Sequence, residues 1–134
     1  MKSIPSIQKY MTTIPHTVGA DATLDKASKM MSELRVRHLP VLSGGKLVGI
    51  LSDRDIQMVE TFKDVDPTQV KVEEAYTPDP YMTSPSARLD EVCEKMAAHK
   101  YSSVLVVDNQ KLVGIFTWVD ALNAMNEILG QRFH

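Results

Sequence analysis

Five residues, Lys46-Leu47-Val48-Gly49-Ile50, recur letter for letter as Lys111-Leu112-Val113-Gly114-Ile115, and the same offset of 65 carries Leu24 onto Leu89, Met31 onto Met96, Val41 onto Val106 and Asp55 onto Asp120. Pro15 and Pro80, and Asp25 and Asp90, fall on that offset without a gap. The chain is one unit written twice. A period of this length constrains the fold before any local propensity does, because it shows how a small unit buries a face that it could not bury alone.

Each copy reads in the same order. Leu24, Ala27, Met31 and Leu34 follow the spacing of one helical stripe over about Thr23 to Val36, and Leu89, Val92, Cys93 and Met96 give its counterpart. Asp25 and Asp90 lie in the first turns, where the helix dipole favours a carboxylate, and Asp21 and Ser86 are candidate caps just upstream. Two short apolar runs follow, Leu39 to Leu42 and Leu47 to Leu51, joined by Ser43-Gly44-Gly45. Their counterparts are Val104 to Val107 and Leu112 to Phe116, joined by Asp108-Asn109-Gln110. Runs rich in Val, Leu and Ile and bounded by turn residues predict a hairpin in each copy. A second helix is predicted over Asp53 to about Phe62 and over Trp118 to about Leu129. The resulting division is 8–64 for the first repeat, 65–76 for a charged linker leading into the second, and 77–131 for the second. Hairpins are marginal in isolation. Two copies packed face to face about a pseudo-twofold axis would cover the exposed sheets and create two equivalent clefts, and ligand pockets favour such interfaces. The fold class expected is α/β of the α+β kind, from two β-α-β-β-α repeats.

Composition narrows the function classes. At 134 residues, with 43% apolar and 24% charged residues, the chain has the balance of a folded globular domain. Its 15 basic and 17 acidic residues create no large field, so neither nucleic acid nor an anionic membrane is the default partner. Cys93 is the single cysteine, which excludes an internal disulfide and a thiolate zinc cluster and fits a reducing, cytoplasmic setting. Pro5 and polar neighbours interrupt the first residues where a signal peptide needs an apolar run. No stretch approaches the roughly 20 apolar residues of a membrane span, so an unexported, soluble protein is expected.

The second strand of each hairpin runs into Gly49-Ile50-Leu51-Ser52-Asp53-Arg54-Asp55 and Gly114-Ile115-Phe116-Thr117-Trp118-Val119-Asp120, both of the form Gly-apolar-apolar-Ser/Thr-x-x-Asp. With the duplicated layout, His38-Leu39-Pro40-Val41-Leu42 before the turn and Tyr10-Met11-Thr12 at the head, the chain resembles the cystathionine β-synthase (CBS) domain family over about residues 8 to 130. It looks like a tandem pair, often called a Bateman module. The resemblance implies binding of adenosine-containing ligands such as AMP, ADP, ATP or S-adenosylmethionine, with AMP or ATP foremost, and requires no cofactor. It also implies clefts shared between repeats. One would join Ile50, Ser52, Arg54 and Asp55 to Thr77, Asp79, Tyr81, Tyr101 and Ser102. The other would join Ile115, Thr117 and Asp120 to Thr12, Ile14, His16, Val36, Arg37 and His38. The chemistry is reasonable by itself, since a carboxylate accepts both ribose hydroxyls and a hydroxyl at a helix start suits a phosphate oxygen. Val119 stands opposite Arg54, so Arg37-His38 would supply phosphate contacts in one cleft and Arg54, with Lys100 nearby, in the other.

Simpler readings compete. Ser52-x-x-Asp55 and Thr117-x-x-Asp120 also satisfy the capping-box pattern, and Arg37-His38 also suits a solvated helix end. His16 and His99 have no carboxylate or cysteine at metal-ligand spacing, Met30, Met31 and Met96 read as core fillers, and Cys93 reads as buried and inert. Trp118 and Phe116 read equally as core or as base-stacking rings. No nucleophile-base pair is assembled, so a non-enzymatic regulatory module signalling to a regulated protein is expected. The alternative is a ligand-free scaffold that mediates assembly. The apolar positions Ala121, Leu122, Met125 and Leu129 of the terminal helix predict a homodimer.

Overall fold

The protein's structure, a computed structural model, describes residues 3–13, 16–62 and 64–133. In chain order the elements are β1 (Thr12–Thr13), β2 (Val18–Gly19), α1 (Leu24–Leu34), β3 (His38–Ser43), β4 (Lys46–Ser52), α2 (Asp53–Glu60), β5 (Thr77–Pro78), β6 (Met82–Thr83), α3 (Leu89–His99), β7 (Ser103–Asp108), β8 (Lys111–Thr117) and α4 (Trp118–Arg132). Turns of 3-10 helix precede β1 at Ile7–Lys9 and β5 at Val72–Glu74.

The first helix of each copy ends where the backbone turns left-handed. Arg35 has φ 57° and its N–H donates to the carbonyls of Met31 and Ser32. Lys100 has φ 58° and donates to Met96. Helix α1 therefore stops short of the expected Val36. The caps also differ from expectation, because Thr23 and Arg88, rather than Asp21 and Ser86, hold the N-cap positions. Neither side chain bonds the helix backbone. The Thr23 hydroxyl donates to Asp25 at 2.6 Å, and the Arg88 guanidinium holds Asp90 at 2.8 and 3.1 Å.

Both hairpins pair with the same register and the same irregularity, between Val41 and Leu42 in one and between Val106 and Val107 in the other. Both central turn residues have positive φ, 57° and 81° at Gly44 and Gly45, and 50° and 65° at Asn109 and Gln110. Glycine adopts this conformation freely and asparagine tolerates it, whereas glutamine has a Cβ that crowds the following carbonyl. Gln110→Gly is thus expected to raise stability by about 1 kcal/mol, read as a higher urea midpoint with an unchanged slope.

The chain divides into two units that do not coincide with the two halves of the sequence. His16–Pro80 forms one, and the residues before it join Tyr81 onward to form the other. The first unit holds a sheet of order β2-β3-β4-β5, and the second a sheet of order β1-β8-β7-β6. In each, a hairpin is flanked by a parallel two-residue strand on one side and an antiparallel one on the other. Leu24, Ala27, Met31, Leu39, Val41, Leu51, Ile56 and Val72 are the main core residues of the first unit. Ile7, Leu89, Val92, Met96, Val104, Val106, Phe116 and Ala124 fill the second.

The charged segment 65–76, read from sequence as a linker, is packed rather than loose. Val72 is fully buried, and its N–H donates to Ala22, while Leu24 donates to Val70 and Asp25 to Pro67. The N-terminal head does the same in the other unit, where Ile7 is fully buried and bonds Ala87, and Leu89 donates to Pro5. Lys71, Glu73 and Glu74 around Val70 and Val72 conceal two apolar side chains that pack into the core.

Candidate functional site

In both units the second hairpin strand runs directly into a helix, and the junction is a complete capping box. The Asp55 carboxylate accepts from the Ser52 N–H at 2.9 Å, and the Ser52 hydroxyl accepts from the Asp55 N–H at 3.1 Å. Thr117 and Asp120 repeat this at 2.9 and 3.4 Å. The bland reading of the Ser/Thr-x-x-Asp pattern is therefore true. A further bond goes beyond it: the Thr77 hydroxyl reaches both Asp55 oxygens at 3.3 Å, and the Thr12 hydroxyl reaches Asp120 at 3.3 Å. Each carboxylate thus joins the start of a helix to a neighbouring edge strand.

Glycine makes this approach possible. A Cβ on Gly49 would overlap the Thr77 carbonyl and the Tyr76 ring, and one on Gly114 would lie 2.6 Å from the Met11 sulfur and 3.0 Å from the Thr12 carbonyl. The recurrent Gly of the repeated pentapeptide is the position where β5 crosses β4, pairing Ile50 with Thr77, and where β1 crosses β8, pairing Ile115 with Thr12. Ile50 and Ile115 are buried on interior strands, each paired on both sides. An ionised carboxylate has roughly four lone-pair positions. Asp55 has two donors, the Ser52 N–H and the Thr77 hydroxyl, and Asp120 has three, the Thr117 N–H and hydroxyl and the Thr12 hydroxyl, which leaves each carboxylate capacity for more; both aspartates are only half-buried.

Of the first residue grouping, Ile50, Ser52, Arg54, Asp55, Thr77 and Asp79 share one unit, while Tyr81, Tyr101 and Ser102 belong to the other. Of the second, Thr12, Ile115, Thr117 and Asp120 share a unit, whereas His16, Val36, Arg37 and His38 lie with Ser52 and Asp55. Ile14 lies outside the described residues. Within each unit the residue before the hairpin is tied to the helix start: the Asp53 N–H donates to the Arg37 carbonyl at 3.0 Å, and Trp118 donates to Ser102 at 3.1 Å. Arg54 is exposed on the first turn of α2, and Val119 is its exposed counterpart. Asp79 is exposed and left-handed, with φ 51°.

His38 does not carry the charge that the pairing with Arg37 suggests. Burial lowers its pKa below the ordinary value, Asp53 and Asp55 oppose this, and Arg37 adds to it. The imidazole is consequently neutral at pH 7, where it bonds without charge and Arg37 is the cation.

Sequence reasoning missed an aromatic ladder. His99 stacks on Tyr101 with centroids 5.1 Å apart, Tyr101 lies 5.4 Å from Tyr81, and the Lys95 ammonium lies 4.6 Å from the Tyr81 centroid. The offset of 65 replaces these four by Leu34, Val36, His16 and Met30, so aligning the copies position by position reveals the ladder as a property of one unit. Phe116 is fully buried core, while Trp118 is 45% exposed. Cys93 is half-buried rather than buried, and burial, with a contribution from Asp90, pushes its thiol pKa up. The raised pKa favours the thiol over the nucleophilic thiolate at neutral pH.

The duplicated architecture has a match among known families. The CBS domain model fits residues 7–59 and again 72–127, together most of the chain. The chain belongs to the CBS domain family. A CBS domain-containing protein of Bacillus subtilis (strain 168), YhcV, is 34% identical over 127 residues, covering 93% of this chain and 90% of its own. Among solved structures, CBSX2 in complex with AMP is similar at 29% identity with a TM-score of 0.79, over 92% of this chain and 98% of that one. The CBS domain pair of protein MJ0100, solved with 5′-methylthioadenosine and S-adenosyl-L-methionine, is similar at 26% identity with a TM-score of 0.84, over 94% and 99%. Both CBS repeats of this chain carry the same cap, the same edge-strand threonine and the same glycine crossing. No helix among the described residues is long and apolar enough to cross a membrane.

Proposed function

We propose that this CBS pair is a regulatory module that binds an adenosine-containing ligand through its Ser/Thr-Asp-Thr constellations and passes occupancy to a protein partner. The observation that carries the reading is the repetition of that constellation in both units with the same partners and spare acceptor capacity on each aspartate. Structural relatives that hold AMP, or S-adenosylmethionine and methylthioadenosine, support the ligand class. Asp55 and Asp120 would take ribose hydroxyls, Ser52 and Thr117 would offer hydroxyls at helix starts, and Arg37 and Arg54 would meet phosphate or carboxylate groups. AMP, ADP and ATP are the first candidates, with S-adenosylmethionine behind them. The module acts by binding and not by turnover, as a cytoplasmic homodimer. Because a ligand shifts only an equilibrium whose states it binds unequally, signalling requires two conformations of the module with different affinities.

A second reading rests on the fact that each carboxylate is already satisfied by a helix start and a threonine, the state in which a ligand-free scaffold would be stable. Isothermal calorimetry against AMP, ADP, ATP and S-adenosylmethionine separates the two. Binding of at least one is expected, and no heat together with no thermal shift at millimolar ligand would leave the scaffold.

A further inference from the structure

The ring contacts around Tyr101 close on themselves. Lys95 and His99 stand four residues apart at the C-terminal end of α3, a spacing that sets both on one face about 6 Å apart along the axis. Two tyrosines from other segments run between them. The Lys95 ammonium lies 4.6 Å from the Tyr81 centroid, Tyr81 lies 5.4 Å from Tyr101, and Tyr101 stacks on His99 at 5.1 Å with planes 11° apart. The backbone holds both tyrosines as well: the Leu105 N–H donates to the Tyr81 carbonyl and the Tyr101 N–H to that of Met96, each at 2.9 Å. Tyr101 nevertheless stays 41% exposed. An exposed ring on a loop samples several rotamers, and a ligand that selects one of them bears the entropy cost. Here the ring is held in place and still open. Ser102, next in the chain, accepts the Trp118 N–H at 3.1 Å, which ties the stacked ring to the helix start carrying Thr117 and Asp120.

We infer that Lys95 and His99 are positioning residues, which hold Tyr81 and Tyr101 as a preformed platform so that the open Tyr101 ring takes the base of an adenosine-containing ligand by stacking. Built on the ligand-binding reading above, the ladder supplies the ring that meets the base and the two residues that keep it in place. A purine presents a π face to such a ring, and a ring already fixed in the bound orientation stacks without the rotamer cost. The fold itself does not need the ladder. In the other copy the same four positions are Met30, Leu34, His16 and Val36, and they form the same helix end and the same hairpin entry. Among the described residues the two ring–ring contacts both belong to this ladder, so the aromatic groups are gathered at one place and not scattered through the core.

Calorimetry with whichever of AMP, ADP, ATP and S-adenosylmethionine the wild-type chain binds most tightly tests this. His99→Ala is expected to weaken binding roughly 10-fold, about 1.4 kcal/mol, and Lys95→Met about 3-fold, the scale of an exposed cation–π contact. His99→Phe keeps a flat ring on Tyr101 and Lys95→Arg keeps a cation on Tyr81, so both are expected to bind as the wild type does. Positions 95 and 99 are exposed on a helix, and melting temperatures confirm that each variant is folded. Because His99 acts through Tyr101, the double variant His99→Ala/Tyr101→Ala is expected to bind no more weakly than Tyr101→Ala alone. Unchanged affinity in His99→Ala, an equal loss in His99→Phe, or additive losses in the double variant would each overturn the role of the ladder while wild-type binding stands. A wild-type chain that binds none of the four ligands would overturn the ligand-binding reading itself, and the ladder's role with it.

Discussion

Gly49→Ala is expected to lower the unfolding free energy by about 3 kcal/mol and Gly114→Ala by about 1 kcal/mol, the upper and lower ends of the usual cost of overpacking. The sequence context is identical, so the difference arises from what each new methyl would meet. At Gly49 it meets main chain, the Thr77 carbonyl, and an aromatic ring, and neither can yield without breaking the pairing of β5 with β4. At Gly114 the nearest atom is the sulfur of Met11, the far part of a flexible side chain, at 2.6 Å. Rotation of the thioether relieves most of that clash. Urea unfolding of both variants measures the two costs. Hydrogen exchange at Thr77 adds a local readout, which is expected to accelerate in Gly49→Ala because the strand must lift from its neighbour. Equal destabilisation in the two variants would contradict the account of the crossing.

The second large effect concerns Asp55. Asp55→Asn is expected to weaken adenosine-ligand binding by roughly 1–3 kcal/mol, the scale of a hydrogen bond to a charged group, while changing stability little because the amide oxygen still accepts from Ser52. Asp55→Ala removes the acceptor of both Ser52 and Thr77 and is expected to cost about 0.5–2 kcal/mol of stability as a lost cap, in addition to the loss of binding. Asp120→Asn should act unequally to Asp55→Asn, since Arg54 accompanies one aspartate and Val119 the other. Calorimetry and thermal melts of the three variants are sufficient. Intact binding in Asp55→Asn and Asp120→Asn would reduce both carboxylates to helix caps, and identical losses would remove the asymmetry.

Much of this was legible in the residues. The i, i+3, i+7 spacing of Leu24, Ala27 and Met31 and the Val-rich runs around Gly44-Gly45 report the helices and hairpins directly, because burial of one face writes itself into the period. The capping boxes were visible as a spacing. Other features were hidden by physics that a local pattern does not carry. Asp21 and Ser86 have good cap chemistry, yet the cap positions fall to Thr23 and Arg88, whose side chains bind Asp25 and Asp90 in place of the backbone. Val70 and Val72 are too few to show a period among charged neighbours. The neutrality of His38 follows from burial, which its sequence neighbours do not indicate. The crosswise grouping of site residues came from resemblance, whereas the Thr77–Asp55 and Thr12–Asp120 bonds emerge within single units from the sheet order.

The reciprocal placement of the two heads, β1 beside β8 and β5 beside β4, also bears on how such a chain could have arisen. Each copy lends its leading strand to the sheet built by the other copy's hairpin. A single copy made as a separate polypeptide would therefore have an unfilled sheet edge and a spare strand, the condition under which identical chains complete each other by exchange. Fusion of two such chains end to end yields this connectivity without any new contact, and it converts a concentration-dependent association into a tethered one. In this light the tandem chain is a swapped dimer made covalent, and cutting it at the sequence midpoint would separate each hairpin from the strand that completes it.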